Sequence, residues 1–269
     1  MKAGEIVSTA LLRAAVLTRR TMRVGEVRLH VSPTAMGRYL WKDRHAYDQH
    51  LAFYHRFLRP DDLVVDVGAN VGLVTLTAAT LVGAAGRVVA VEPHPRTFEY
   101  LRDNVRLNRL ADIVRLHCVA LAEREGRRRI VEFPRDDSQN RMASGDHGGI
   151  EVAVETLDRL LTFDRSIALL KIDVEGYEKF VLGGAGRTLD VTACIYFESW
   201  EPHFARYGYR GRDLFDWLRA RDYRLYLVRG DVLLTLAEDH VSTECEDLVA
   251  VRDLPALLAR TGYRLGRAR

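Results

Sequence analysis

The sequence predicts a doubly wound α/β fold: a mostly parallel seven-stranded sheet with helices on both faces and an N-terminal strand and helix extension. Three observations predict it. Short, nearly all-apolar runs such as Leu63–Val67 and Ile167–Ile172 have the pattern of strands buried on both faces. Segments of helical period alternate with them at the cadence of parallel strands joined by crossover helices. A glycine turn, Gly68 to Gly72, joins the first of these strands to a helix.

The elements follow in chain order. Gly25–Val31 alternates apolar and polar residues and reads as a strand. Tyr47–Leu58 carries Leu51, Tyr54, Phe57 and Leu58 at helical spacing, and Pro60-Asp61 ends it. Leu63–Val67, Arg87–Val91 and Ile113–Cys118 are strands, separated by helices over Val71–Leu81 and Arg96–Leu107. Val119–Phe133 reads as a hairpin turning at Glu125-Gly126. The polar stretch 134–149 lacks periodicity, and a loop of that length in a compact domain is usually functional, so a lid is expected there. Ile150–Val154 is a short strand, and Leu157–Leu161 a helical turn. Strands Ile167–Ile172 and Val191–Phe197 alternate with helices Tyr177–Leu182 and Gly211–Arg221. Arg224–Val228 and Asp247–Val251 complete the seven strands, and Leu254–Arg260 is a last helix. The expected organisation is an extension over 1–46 and one large domain over 47–269, since 269 residues suit one such domain.

Composition narrows the classes. Hydrophobic residues at 48% and charged residues at 29% are globular values and exclude wholesale disorder. Lys+Arg 40 against Asp+Glu 37 leaves only +3, and Arg127-Arg128-Arg129 is flanked by Glu123 and Glu125, so no nucleic-acid partner is expected. No apolar run approaches the roughly 18 residues of a membrane span. Cys118, Cys194 and Cys245 lie far apart without ligand spacing, which suits a reduced, cytoplasmic protein. Arg13 interrupts the apolar stretch Ala10–Leu17 and no cleavage site follows, so a short amphipathic helix is expected there rather than a secretory signal. It would pack on the domain or against a second subunit of a homodimer.

The chemistry concentrates in Asp66-Val67-Gly68-Ala69-Asn70-Val71-Gly72. Gly68 and Gly72 would let a ligand approach the backbone at the carboxyl end of a strand, where open α/β sheets bind ligands. The acid that opens the turn would repel a pyrophosphate and suit a cationic group. That favours S-adenosylmethionine, with its sulfonium and ammonium, over NAD. The second strand ends in Val91-Glu92-Pro93, and an acid there can take both ribose hydroxyls of an adenosine. Val119 and Ala120, after the third strand, would flank the adenine. Asp173 and Glu175 end the fourth strand at the same crevice, and Glu198 ends the fifth. Asp173 and Glu198 supply no third oxygen ligand that the sequence can place, so no metal is expected.

In order and spacing, VVDVGANVG, VEPHP, LLKIDVEGYE and IYFE resemble the FkbM family of S-adenosylmethionine-dependent methyltransferases, over roughly Tyr47–Val251. The resemblance implies a Rossmann-like class I methyltransferase fold. It implies O-methylation of a sugar hydroxyl on a glycolipid or polysaccharide, or of a natural product such as a polyketide. It also implies that Asp66, Gly68, Ala69, Asn70, Gly72, Glu92 and Pro93 hold the cofactor, and that Asp173 sits where its methyl end meets the acceptor. S-adenosyl-L-homocysteine would be the product. A hydroxyl is a poor nucleophile at neutral pH, so a base is expected. Asp173 is the first candidate, Glu198 the second and His203 the third. An NAD-dependent reductase of doubly wound fold and a non-catalytic methyltransferase-like partner are the alternatives.

Overall fold

A computed structural model of the protein describes residues 11, 12, 14–133, 140–143 and 149–267. The expected lid over 134–149 therefore lies outside the described residues except at 140–143 and Gly149. Part of the expected N-terminal helix is also outside; at 14–17 the backbone is helical.

The chain opens with β1 (Thr21–Val24) and β2 (Val27–His30), an antiparallel pair about Gly25-Glu26 where one strand is predicted. Helices α1 (Ala35–Lys42) and α2 (Asp48–Phe57) follow. Thr34 caps α1 by accepting from the Gly37 N–H at 3.0 Å. The α/β part then runs β3 (Leu63–Val67), α3 (Leu73–Val82), β4 (Arg87–Val91), α4 (Pro95–Leu107) and β5 (Val114–His117). A side sheet contains β6 (Ala120–Leu121), β7 (Gly126–Val131), β8 (Arg141–Met142) and β9 (Ile150–Glu155). After the short α5 (Leu157–Leu160) come β10 (Ile167–Ile172), α6 (Glu178–Gly183), α7 (Gly186–Asp190) and β11 (Thr192–Ser199). The chain closes with α8 (Glu201–Ala205), α9 (Gly211–Arg219), β12 (Arg224–Arg229), β13 (Val232–Thr235), β14 (Glu246–Val251), α10 (Leu254–Thr261) and β15 (Arg264–Arg267).

Among the described residues the main sheet has nine strands in the order β15-β13-β12-β14-β11-β10-β3-β4-β5. Its centre, β11 to β5, is parallel, and β14 and β12 pair antiparallel at the far side. The sheet is two strands wider than predicted. β13 is a four-residue run behind Gly230, and β15 (Arg-Leu-Gly-Arg) has too few apolar residues to announce itself. The chain runs outward from β3 through β4 to β5, then returns to build β10 and β11 on the other side. The switch point between β3 and β10 opens a crevice at their carboxyl ends.

Side chains alternate across the sheet and feed two cores. Val64, Leu169 and Tyr196 pack with Tyr54, Leu76 and Leu101 of α2, α3 and α4. Val65, Leu170 and Phe197 pack with Val181 and Leu214 of α6 and α9 and with Ile130 and Val152 of the side sheet. Met22, Val27 and Leu29 of the first hairpin belong to the first of these cores. Asn104 Oδ1 on α4 accepts from the His30 N–H at 2.7 Å and Asn108 Oδ1 from the Arg28 N–H at 2.9 Å, so the extension is stitched to the domain.

The predicted hairpin over Val119–Phe133 is overturned. β6 and β7 do not pair with each other; both flank β9, β6 parallel and β7 antiparallel. The alternating Ile150, Val152 and Val154 make β9 the better centre, because they put an apolar face on the core and leave Glu151, Ala153 and Glu155 outward.

Candidate functional site

Three strand ends build the site. Gly68 follows β3 with φ +77°, and a Cβ there would stand 1.9 Å from the Asp173 carbonyl oxygen after β10. Only glycine lets these two loops touch. The Gly68 and Ala69 N–H groups both donate to Val91 O at 3.0 Å, which ties the turn to the end of β4. Next to it stands Glu92, buried, with Oε2 accepting from the Asn70 N–H at 3.0 Å and Oε1 from the His94 N–H at 2.9 Å. Burial pushes the Glu92 carboxyl up to about 7, despite these two backbone hydrogen bonds.

A cavity of about 400 Å³ runs along these ends. Gly68, Ala69, Asn70, Glu92, Pro93, Val119, Ala120, Asp173 and Glu198 line it, so nine of the sequence-predicted residues meet at one wall. Asp66, Gly72 and His203 are not on that wall. Asp66 points into the sheet: its Oδ2 accepts from Thr75 Oγ1 at 2.6 Å and its Oδ1 is 3.2 Å from Lys171 Nζ. The sequence expects Asp66 to meet a cationic ligand; in the fold its near cation is Lys171. Gly72, with φ +98°, is where α3 passes Leu101 of α4, whose Cδ1 would be 2.6 Å from an added Cβ. A side chain there would meet that helix.

Lys171 is not among the expected site residues. It is buried, on the wall, and its Nζ donates to Gly68 O at 2.8 Å and lies 3.5 Å from Asp173 Oδ2. Burial works against its charge, but Asp66 and Asp173 outweigh that and hold the ammonium above its ordinary value. A signal for it exists in the sequence: one of only four lysines interrupts an all-apolar strand. Burial raises the Asp173 carboxyl, with Lys171 working in the opposite direction.

The far end of the cavity is acidic. Asp173, Glu175, Glu198 and Asp247 line it with Tyr47, His50, Cys245 and Met36. His203 sits behind this wall, its Nδ1 3.4 Å from Glu198 Oε1 and 3.5 Å from Glu175 Oε2. Burial opposes the Glu198 charge, yet hydrogen bonds from His203 and Cys245 prevail and lower its pKa. Burial and the neighbouring Asp173 and Glu198 push Glu175 up to about 9. Glu178, the first residue of the next helix, is turned away from this end. Its Oε1 accepts from the Val174 and Gly176 N–H groups at 3.1 and 3.3 Å and holds the turn.

The sequence points to the long loop and the region after Phe197 as walls of the acceptor end. The structure adds residues of α1 and α2 and the loop before α2, namely Met36, Tyr47 and His50. Nothing in the sequence marks them, because α2 reads as a packing helix and its exposed side finds the cavity only after folding. Asn140, Arg141 and Met142 line the opposite flank. Among the described residues, no three His, Cys, Asp or Glu side chains come together as a metal site, and no helix is long and apolar enough to cross a membrane.

The methyltransferase FkbM domain matches residues 66–225. The tRNA(Phe) (4-demethylwyosine(37)-C(7)) aminocarboxypropyltransferase of Pyrococcus horikoshii is 41% identical over 54 residues. That match spans 20% of this chain and only 19% of the relative's length. Solved structures of similar shape include a putative rRNA-methylase from Clostridium thermocellum, 14% identical with a TM-score of 0.46, covering 75% of this chain and 93% of its own. A putative methyltransferase from Streptococcus mutans in complex with S-adenosylhomocysteine is 10% identical with a TM-score of 0.45, covering 76% and 96%. A SAM-dependent O-methyltransferase from Thermotoga maritima is 13% identical with a TM-score of 0.44, covering 77% and 65%.

Proposed function

The chain belongs to the methyltransferase FkbM family, and on that premise we propose that it is an S-adenosylmethionine-dependent O-methyltransferase. Its acceptor in this reading is a hydroxyl of a sugar, in a glycolipid or polysaccharide, or of a natural product such as a polyketide. The observation that carries the reading is one continuous cavity with Glu92 near one end and the carboxylates of Asp173 and Glu198 at the other.

The residues suit the cofactor. Each Glu92 oxygen takes a single backbone N–H, so lone pairs remain for two ribose hydroxyls. The backbone of Gly68, Ala69 and Asn70 would border its amino-acid part, and Pro93, Val119 and Ala120 would flank its adenine. The acids at the far end suit a cationic centre. Bound there, the cofactor supplies a methyl group on positively charged sulfur, an electrophile that needs no further activation.

The protein's task is then to hold the acceptor oxygen in line with that methyl, about 3 Å away. Asp173 holds the acceptor by accepting from a hydroxyl other than the one that is methylated, and Lys171 keeps the Asp173 carboxylate in place. Glu198 borders the acceptor, fixed from behind by His203. Asp66 and Gly72 support the turn from inside. We place the enzyme in the cytoplasm, in keeping with three unpaired cysteines.

Calorimetry with S-adenosylhomocysteine and with NADH tests the cofactor half. S-adenosylhomocysteine should bind and NADH should not. Transfer of labelled methyl to a panel of methyl glycosides tests the acceptor half. A protein that binds NADH and ignores S-adenosylhomocysteine would end this reading.

A further inference from the structure

His50 lies on α2, near its start, and lines the acceptor end of the cavity. Its Nδ1 lies 3.4 Å from Asp247 Oδ2 at the start of β14. Asp247 is in turn the register partner of Glu198 on β11. Rings of Tyr47, Tyr54 and Tyr196 surround the imidazole, with centroids 5.9, 5.8 and 5.8 Å away. The ring is thus held in one plane, and a carboxylate grips one of its nitrogens. A neutral imidazole so held keeps its proton on Nδ1 and leaves the Nε2 lone pair basic.

The other candidates at this end are already committed. Asp173 is paired with Lys171, and Glu198 with His203. His203 is off the cavity wall. The His50 side chain keeps 25% of its surface exposed, on a residue that lines the cavity.

We propose that His50, held by Asp247, is the general base of the reaction and accepts the acceptor's hydroxyl proton at Nε2. The inference rests on the methyl-transfer reading above. As the hydroxyl oxygen bonds to the methyl carbon, the carbon–sulfur bond breaks and its electron pair stays on sulfur. The O–H proton passes to Nε2, giving an imidazolium beside the Asp247 carboxylate, and it is then released to water. Asp247 is a positioning residue: it fixes the tautomer and stabilises the charge that develops.

The groups facing His50 set the pH at which it works. Burial disfavours its charged form, and Lys171 on β10 does the same. Asp247 on β14 and Asp173 after β10 favour it and prevail, so His50 titrates above an ordinary imidazole. Tyr47 and Tyr54 beside it on the chain and Tyr196 on β11 complete the surround; burial raises all three, and they stay neutral. The base is therefore protonated and idle at low pH, and transfer should rise through the raised His50 value.

Nitrogen-15 NMR of the histidine-labelled full chain, with S-adenosylhomocysteine as the probe ligand, tests the dyad directly. Neutral His50 should carry its proton on Nδ1, and Asp247→Asn should lower its pKa and weaken that tautomer preference. Methyl transfer to methyl glycosides supplies the kinetic arm. His50→Gln should lose at least about 100-fold in kcat, lose the acid limb of the pH profile, and keep its S-adenosylhomocysteine Kd within about twofold. Asp247→Asn should shift that limb to lower pH. A neutral His50 protonated on Nε2, a titration indifferent to Asp247→Asn, or a His50→Gln variant with wild-type turnover would each overturn the proposal. Failure of the wild type to bind S-adenosylhomocysteine would instead overturn the methyl-transfer reading, and the tautomer result would still decide the dyad.

Discussion

Lys171 and Asp66 are register partners on the adjacent parallel strands β10 and β3, and Lys171 Nζ lies 3.2 Å from Asp66 Oδ1 in the buried sheet. A buried pair is costly to break, because the survivor is left charged without water. This one also anchors the site, since the same ammonium reaches Gly68 O and Asp173.

Lys171→Met should therefore destabilise the fold by about 3–5 kcal/mol in urea titrations, the cost of leaving one buried partner unpaired. Adding Asp66→Asn should recover part of that loss, since the fully buried carboxylate no longer stands bare; Asp173 stays charged but is partly exposed. A single variant within about 1 kcal/mol of wild type would show that the pair is not the anchor described.

Glu92→Gln should weaken S-adenosylhomocysteine binding by about 10–100-fold, the worth of one hydrogen bond to a charged group. Burial raises the wild-type carboxyl to about 7 in the free protein. The ionised form is the better acceptor for ribose hydroxyls, so wild-type affinity should rise with pH through that value and fall below it. The variant should be flat. Calorimetry across this range that shows parallel curves would remove Glu92 from the ribose site.

The two glycines of the turn should separate. Gly72→Ala meets Leu101 and an unfavourable φ of +98°, at a cost of about 1–3 kcal/mol, while S-adenosylhomocysteine affinity of the folded fraction is kept. Gly68→Ala meets the Asp173 carbonyl on the cavity wall and should lose both stability and affinity. Equal effects on affinity at the two positions would contradict the placement of Gly72 behind the wall.

Glu178 makes the free energy of folding depend on pH. Burial raises its carboxyl from 4.5 to about 8 in the folded chain. The folded protein then holds a proton that the unfolded chain releases above its own lower value. The stabilising contribution is full at low pH and is lost as pH climbs through about 8. Each pH unit within that window removes up to about 1.4 kcal/mol. Glu178→Gln should flatten the decline of Tm over that window, and an unchanged slope would assign the decline to other groups.

Asp173→Asn keeps shape and hydrogen bonding but removes the charge that pairs with Lys171. It should bind S-adenosylhomocysteine within a few-fold of wild type and lose most of kcat. Retained turnover would mean that Asp173 does not hold the acceptor by charge.

Much of the frame is legible in the sequence. β3, β4 and β10 fall at the predicted residues, because a strand buried on both faces must be apolar throughout and says so locally. The glycine turn and Glu92 are legible because turn chemistry and a strand-end acid are short-range patterns. The segment Val119–Phe133 looks like a hairpin and is not one, because pairing is not local: β9, about 20 residues further on, inserts between the two segments.

The succession of the central strands and helices, the glycine turn and the inventory of acids at strand ends follow from the order of amino acids alone. Hydrophobic periodicity and backbone stereochemistry act within a few residues, and so can be read from them. What each charged group faces is set by how the folded chain packs. Successive side chains alternate across a sheet, and the register of β3 on β10 sets Asp66 against Lys171. The packing of α2 over β11 and β14 brings His50 to Asp247, 197 residues away in the chain. Such juxtapositions depend on how two distant surfaces fit together, and no local pattern records that fit.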